Sequence, residues 1–304
     1  VVEKRRRMRT IVKYENGNAT VELFDDGTRV VTTPDPSFKF EYPLNLDIRV
    51  STKCSFGRNP KTGKGMCEFC HESATTDGVE CDYKELMSTI EELPEGIELA
   101  VGCNELTPDL YEFILWCGLQ GYIVNLTSNQ GHLRRDLEGL KMITEQEFVK
   151  GLGVSYRSEL KWDIPEYVLN YENTVFHVIV GIDSIEDVLS LKDKGVKKIL
   201  LLGEKDFGFN KGNVDLTGQS HKEWFWWVSK LFKEFDVVSF DNLALKQLDI
   251  KRFFNNEKWK EFYQGEFSFY LNAVDKYFAP SSRSSELTPW INVSIKEYFK
   301  HLNK

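Results

Sequence analysis

From residue 44 onward the chain alternates short apolar runs with amphipathic stretches, and this rhythm restricts its fold more than any other feature. Strand-length runs occupy residues 44–50, 97–101, 122–127, 152–156, 175–180 and 198–202, and a seventh, Val237-Val238-Ser239-Phe240, follows. Helix signals lie between them. Asp82 with Glu85 three residues on reads as a capping box, and Asp183 with Glu186 as another. Thr107-Pro108-Asp109 reads as an N-cap followed by proline at N1. Residues 132–150 hold one or two helical pieces, and residues 221–235 a longer helix. Successive βα units predict a parallel sheet with right-handed crossovers. The expected class is α/β: a partial (βα)6 TIM-like barrel, open rather than closed, with its active site at the C-terminal ends of the strands.

Two flanking segments break the rhythm. Residues 11–32 alternate apolar and polar side chains around Asn16-Gly17-Asn18 and Asp25-Asp26-Gly27, which predicts a small N-terminal β-meander. Phe267, Phe269 and Tyr270, followed by the polar Pro280-Ser281-Ser282-Arg283 stretch, predict a strand pair or lid that caps the barrel mouth, with the meander as a second cover, and Arg283 as a grip for an anionic group or a plain solvated side chain. The expected division is 1–43 for the meander extension, 44–241 for the barrel and 242–304 for the cap.

The net charge of −8 argues against a broad nucleic-acid surface; the exception, the basic run from Lys4 to Arg9, reads as a solvated terminus or a local phosphate or RNA contact. No apolar run approaches the ~20 residues of a membrane span, and no secretory leader is visible, so a cytoplasmic location is expected. The six cysteines all fall between Cys54 and Cys117, which does not suit a disulfide framework and points to metal or redox chemistry. Cys54, Cys67 and Cys70 follow the first strand directly. Three thiolates on one loop can hold three corners of an iron–sulfur cluster and leave a fourth open. The same residues with His71 or Cys81 make four ligands for a structural zinc, so both metals fit the spacing.

With these cysteines at the end of strand one, residues 44–241 resemble the radical SAM enzymes. Members of that family carry Cys-x3-Cys-x2-Cys with an aromatic before the last cysteine, here Phe69; the first gap in this chain is longer, Cys-x12-Cys, as in some members including 7-carboxy-7-deazaguanine synthases. Gly102-Cys103-Asn104-Glu105 is similar to the family's Gly-Gly-Glu-Pro-like turn, with Cys103 and Asn104 departing from it, so that backbone contacts would serve there. Thr127-Ser128-Asn129 is similar to its Thr-Asn-Gly, and Ser155-Tyr156-Arg157 to its polar strand-four end. Val178-Ile179-Val180-Gly181 resembles the segment beside adenine, with His177 in place of its first glycine, and Leu202 would form the other adenine wall. The resemblance implies a 4Fe–4S cluster on Cys54, Cys67 and Cys70, with S-adenosylmethionine bound by Phe69, Gly102, Cys103, Asn104, Glu105, Thr127, Asn129, Ser155, Arg157, Ile179, Gly181 and Leu202. It implies reductive cleavage of that cofactor to a 5′-deoxyadenosyl radical, which takes hydrogen from a small-molecule or peptide substrate, and an electron donor such as flavodoxin or ferredoxin. A deazaguanine-synthase-like nucleobase rearrangement is one alternative; a zinc- or cluster-bearing binding module without turnover is another.

No catalytic residue stands out; Cys103, as a hydrogen-atom donor or a packed loop thiol, and His177, as a proton-transfer group or a barrel-lining histidine, are the candidates. Cys117 reads as a core thiol. Trp224-Phe225-Trp226-Trp227 reads as a packing face, and residues 206–210 as a substrate loop or a plain turn. The lack of cysteines after Cys117 argues against an auxiliary-cluster domain.

Overall fold

The computed structural model describes residues 9–25, 27–35, 37–160, 163–257, 259 and 267–302. The basic residues Lys4 to Arg7, the turn residue Asp26 and residues 262–266 of the expected cap lie outside these. Residues 10–32 form the meander the alternation predicts: β1 (Thr10–Asn16), β2 (Ala19–Phe24) and β3 (Arg29–Thr32), antiparallel and in sequence order. Gly17 turns the first hairpin at φ +64°, and a Cβ there would sit 1.8 Å from the Lys39 carbonyl oxygen, so no larger residue fits. Buried Asn16 ties the following segment to the hairpin: its Nδ2 donates to Tyr42 O at 2.8 Å and its Oδ1 accepts from Glu41 N and Tyr42 N.

The remainder is a mixed α/β unit on one ten-stranded, mostly parallel sheet. β4 (Asn45–Arg49), β6 (Glu98–Gly102), β7 (Ile123–Asn129), β8 (Val149–Ser155), β9 (Thr174–Ile179), β10 (Lys198–Leu202) and β11 (Val237–Phe240) lie side by side in chain order, every pair parallel. Between β4 and β6 runs a short strand outside this sheet, β5 (Lys53–Arg58), then α1 (Tyr83–Ile90). The later crossovers carry α2 (Pro108–Leu119), α3 (Gln130–Arg135) with α4 (Leu137–Glu145), α5 (Glu166–Asn170), α6 (Ile185–Ser190) and α7 (Gln219–Glu234). Asp82 and Thr107 cap α1 and α2 as the sequence predicts, accepting from Glu85 N at 3.1 Å and Leu110 N at 3.3 Å.

Right-handed crossovers always stepping in one direction place their helices on one face of a sheet. Strand residues on that face are apolar and sealed: Leu46, Leu99, Val124, Val154, Val178 and Leu201 are all fully buried or nearly so. The alternate positions carry Asp47, Ala100, Asn125, Gly151, His177 and Leu200, most of them polar or small and only partly covered. A strand's two-residue period thus separates a core face from an open one. Cys117 is buried in α2, as a core thiol should be. On α7, Trp224 is buried and donates to Asp183 O at 3.0 Å, whereas Trp226 is 75% exposed, so the tryptophan cluster is only partly a packing face.

The C-terminal segment takes the strand-pair form of the two expected, joined to the sheet and not laid over the mouth. β12 (Ser268–Asn272) pairs parallel with β4, with Phe269 opposite Leu46, and β13 (Tyr277–Ala279) and β14 (Thr288–Pro289) follow antiparallel. Residues 268–289 therefore extend the sheet past its first strand, across the predicted boundary at 241, instead of forming a lid. The alternation is that of a sheet strand: Phe269 is buried against Phe278 and, on α8 (Ile295–Leu302), Tyr298 and Phe299, while Tyr270 on the other face points its hydroxyl at Glu72. Arg283 is exposed. The meander sits at the opposite end from the expected mouth: Arg29 pairs with Glu98 at the start of β6, and Val12 and Tyr14 lie against Gly96. Phe269→Ala is expected to lower unfolding stability by about 3–5 kcal/mol, measured in urea, the cost of a cavity in a core and not of a trimmed surface flap. Among the described residues no helix is long and apolar enough to cross a membrane.

Candidate functional site

The loops after the strands gather the residues singled out from the sequence. The long gap between Cys54 and Cys67 is taken up by a hairpin. Cys54 lies on β5, and the chain turns at residues 59–64, where Asn59 N donates to Lys64 O at 2.7 Å and Gly63 N to Asn59 O at 2.8 Å. It returns so that Met66 N donates to Phe56 O at 3.0 Å. Glycines make the close approach possible: a Cβ on Gly65 would lie 2.9 Å from Arg58 Cα, and one on Gly57 2.6 Å from Ala74 O. Cys67 and Cys70 then bracket a tight turn, Cys70 N donating to Cys67 O at 3.1 Å.

All three thiols are half-buried, and burial first, then the charges of Cys67, Cys70 and Glu105, push Cys54 up to about 11. Cys54 Sγ is 3.4 Å from Nε2 of His132, a residue the sequence reading passed over. His132 is 3% exposed, stands against Phe56 at 4.5 Å between ring centroids, and is pushed down to about 4 by burial. It is therefore a neutral imidazole beside a candidate ligand sulfur. Among the described residues no group of three or more His, Cys, Asp or Glu side chains is placed to hold a metal ion.

Glu105 accepts Ser55 N at 2.6 Å, fastening the turn after β6 to the cysteine loop. Asn104 is held by its Nδ2 on Ser51 O at 3.3 Å and by Ser128 Oγ on its carbonyl at 3.1 Å. Gly102 ends β6 on the open face, beside Thr127. Cys103 does not share that face. It is buried, its N–H donates to Thr127 O at 3.0 Å, and burial pushes its thiol up to about 12. A packed loop thiol fits this position, and a hydrogen-atom donor at the open face does not. Asn129 is occupied as the N-cap of α3, its Oδ1 accepting Gly131 N at 2.7 Å.

Phe69 is brought under Arg157, whose guanidinium carbon lies 4.6 Å from the ring centroid. Arg157 is held by Asp183 Oδ2 at 3.2 Å and, through its backbone N–H, by Gln130 Oε1 at 2.9 Å. The same Asp183 oxygen accepts Ile179 N at 2.8 Å. Asp183 is thus not the cap of α6; Ser184 is, accepting Asp187 N at 3.1 Å, and the helix begins one residue later than the sequence suggests. Phe69, Ile179, Leu202, Gly203, Glu204 and Lys205 line one small hollow. Gly181 turns away from it at φ +87°, with the His221 ring where a Cβ would stand. Ser155 and His177 are register neighbours on the open face. Residues 206–210 pack on the cysteine loop: Phe209 N donates to Cys70 O at 3.0 Å, and the Arg58 guanidinium covers the Phe209 ring at 3.7 Å.

A charged cluster also went unread. Arg49 Nε is 2.9 Å from Glu72 Oε2, an ion pair by distance without hydrogen-bond alignment, and Lys205 Nζ is 3.0 Å from His71 Nε2. His71 thus sits in this network, not among the cysteines. Its signal was in plain view: Asn45, Asp47 and Arg49 interrupt the first apolar run at every second position, the mark of a strand with one polar face.

His177 is held neutral. Burial, with Arg157 as the second cause, pushes it down to about 4. An unfolded histidine protonates near pH 6.5, so between about 6.5 and about 4 the unfolded chain takes up a proton that the folded one refuses. The contribution of His177 to stability is complete above that window and is lost as the pH falls through it. Urea unfolding at about pH 7 and about pH 5 should show this loss, and His177→Gln should reduce it. No family model matches the chain, and no curated protein matches it.

Proposed function

We propose that this chain is a radical SAM enzyme built on an open βα barrel, with a 4Fe–4S cluster on Cys54, Cys67 and Cys70. One observation carries the reading. The Met66–Phe56 hydrogen bond closes the base of the hairpin, so only Ser55, Phe56 and Met66 lie on the short path from Cys54 to Cys67. Across that base the long spacing becomes Cys-x3-Cys-x2-Cys, the spacing the resemblance requires. The inserted residues are an excursion that leaves the ligand positions undisturbed. The strand order, sequential from β4 to β11 with helices in the crossovers, also supports an open barrel.

Three thiols carried on one loop support the reading, because thiolates are the donors such a cluster takes. Three thiolates of a cubane bind three different irons and need only surround a common hollow, whereas a zinc site needs donors converging on one ion. Bound there, the cluster would supply a low-potential electron for reductive cleavage of S-adenosylmethionine. The chain's own part is positioning. Phe69 is clamped by Arg157, which buried Asp183 holds in place; Ile179 and Leu202 offer apolar walls beside it; Glu105 fastens the turn at 102–105 to the cysteine loop. The six cysteines, free of disulfides, suit the reducing cytoplasm, where flavodoxin or ferredoxin could deliver electrons. The substrate is a small molecule or a peptide.

Anaerobic reconstitution is expected to load ~4 irons per chain and, with dithionite and S-adenosylmethionine, to yield 5′-deoxyadenosine. Stoichiometric zinc with no iron uptake would end this reading. A loaded cluster without that product would leave a binding module.

A further inference from the structure

Asp47, on the open face of β4, and Lys205, three residues past the end of β10, each lack an oppositely charged partner among the described residues. Asp47 Oδ1 accepts Asn45 Nδ2 at 2.8 Å, which leaves Oδ2. The residue is exposed, yet burial pushes its carboxyl up, against the opposing effects of Asn45 and of the Lys205 charge. It therefore stands in a recess, open to solvent but walled by protein, where a cation would favour its charged form. Lys205 Nζ meets two neutral groups, His71 Nε2 at 3.0 Å and Ser282 Oγ at 3.4 Å, so one ammonium donor remains.

The neighbouring carboxylates are taken. Glu72 stands 2.9 Å from Arg49 Nε and 2.9 Å from His71 Nε2, and accepts the Tyr270 hydroxyl at 3.5 Å. Glu204 accepts Asn210 Nδ2 at 3.1 Å and faces His221 at 3.6 Å. Asp47 and Lys205 address one space. Through His71, Lys205 reaches from the end of β10 to the Glu72–Arg49 pair, and Arg49 stands two residues, about 7 Å, above Asp47 on the same face of β4. The strand beside them is bare. Ala100 is the register neighbour of Asp47 and exposed Gly102 that of Arg49, and a Cβ on Gly102 would meet nothing closer than Ile48 O at 3.6 Å.

We propose that this recess binds a small amino acid in its zwitterionic form, Lys205 holding the carboxylate and Asp47 the ammonium. A ligand with both charges answers both groups with charge-assisted hydrogen bonds. An anion alone would be set against Asp47 and a cation alone against Lys205, a like-charge cost that a zwitterion avoids. The binding stands by itself; the ligand's role as substrate rests on the cofactor reading above, and narrows it to a small molecule with a free amine and carboxylate.

The test uses the full chain under reductant and saturation-transfer NMR. The probes are three zwitterions of rising span, alanine, 4-aminobutyrate and 6-aminohexanoate, with butyrate and butylamine as single-charge controls. At least one zwitterion is expected to bind about tenfold more tightly than either control. Lys205→Gln should remove its advantage over butylamine, and Asp47→Asn its advantage over butyrate, with near-UV circular dichroism unchanged. Asp47→Asn keeps the side-chain shape and carries the test if Lys205→Gln does not fold. S-adenosylhomocysteine, which bears the cofactor's own amino-acid end, should not displace the probe. No zwitterion bound, a control bound as tightly, a preference unaltered in a folded variant, or displacement by S-adenosylhomocysteine would overturn the proposal. Zwitterion binding in a protein that takes up no iron would sink the cofactor reading alone; iron uptake without such binding would sink the recess alone.

Discussion

Reconstituted protein carrying Cys54→Ala, Cys67→Ala or Cys70→Ala is expected to hold iron only at background, against ~4 irons per chain for the parent, and to form no 5′-deoxyadenosine. Rescue by another thiol is closed off. Cys81, Cys103 and Cys117 are packed in the hydrophobic core, so none can swing into the loop without opening that core. The hairpin gives the opposite expectation. Replacing its tip, residues 59–64, by a two-residue Asn-Gly turn should leave iron content unchanged, because the Phe56–Met66 closure that sets the cysteine spacing lies below the cut. Iron retained by all three alanine variants would refute the ligand assignment. Iron lost on shortening the tip would show that the excursion does more than bridge the gap.

Asp183→Ala should lower unfolding stability by about 3–5 kcal/mol. Asp183 is 2% exposed, and its carboxylate answers both Arg157 and the backbone N–H of Ile179. Its loss leaves a mostly buried guanidinium without its counter-charge and an amide without its acceptor. Urea unfolding measures the loss. Because the pair is screened from solvent, the effect should change little with salt. Adding Arg157→Leu to Asp183→Ala should recover part of the stability, since no unpaired charge then remains. A purely additive double variant would show that the cost lies elsewhere, in the Ile179 contact or the packing of Trp224.

The βα order, the caps of α1 and α2, the meander and the three cysteines could all be read from the sequence because each rests on neighbours in the chain. A cap needs a side chain two or three residues from the amide it accepts, and a hairpin needs alternation about a turn. Asp183 shows where this stops. In sequence it is an acidic residue opening a helix, like Asp82; in the folded chain Ser184 takes the cap, because Arg157, 26 residues earlier, claims the carboxylate. His132 has no local signal at all, since its partner Cys54 is 78 residues away.

The C-terminal segment makes the same point at the scale of a whole element. Alternating aromatics at 267–271 promised a strand with one face to cover, and the sequence by itself determined that much. Whether that face would cap the mouth or join the sheet depended on which edge was unpaired. Spatial order matches chain order from β4 to β11, which leaves β4 with an open hydrogen-bonding edge. β12 fills it, because unpaired backbone groups at a buried edge are costly and a parallel partner satisfies them. The cysteine spacing divides in the same way: the residues fixed three thiols close behind the first strand, and only the hairpin's own hydrogen bonds decided that Met66, next to Cys67, would return beside Phe56.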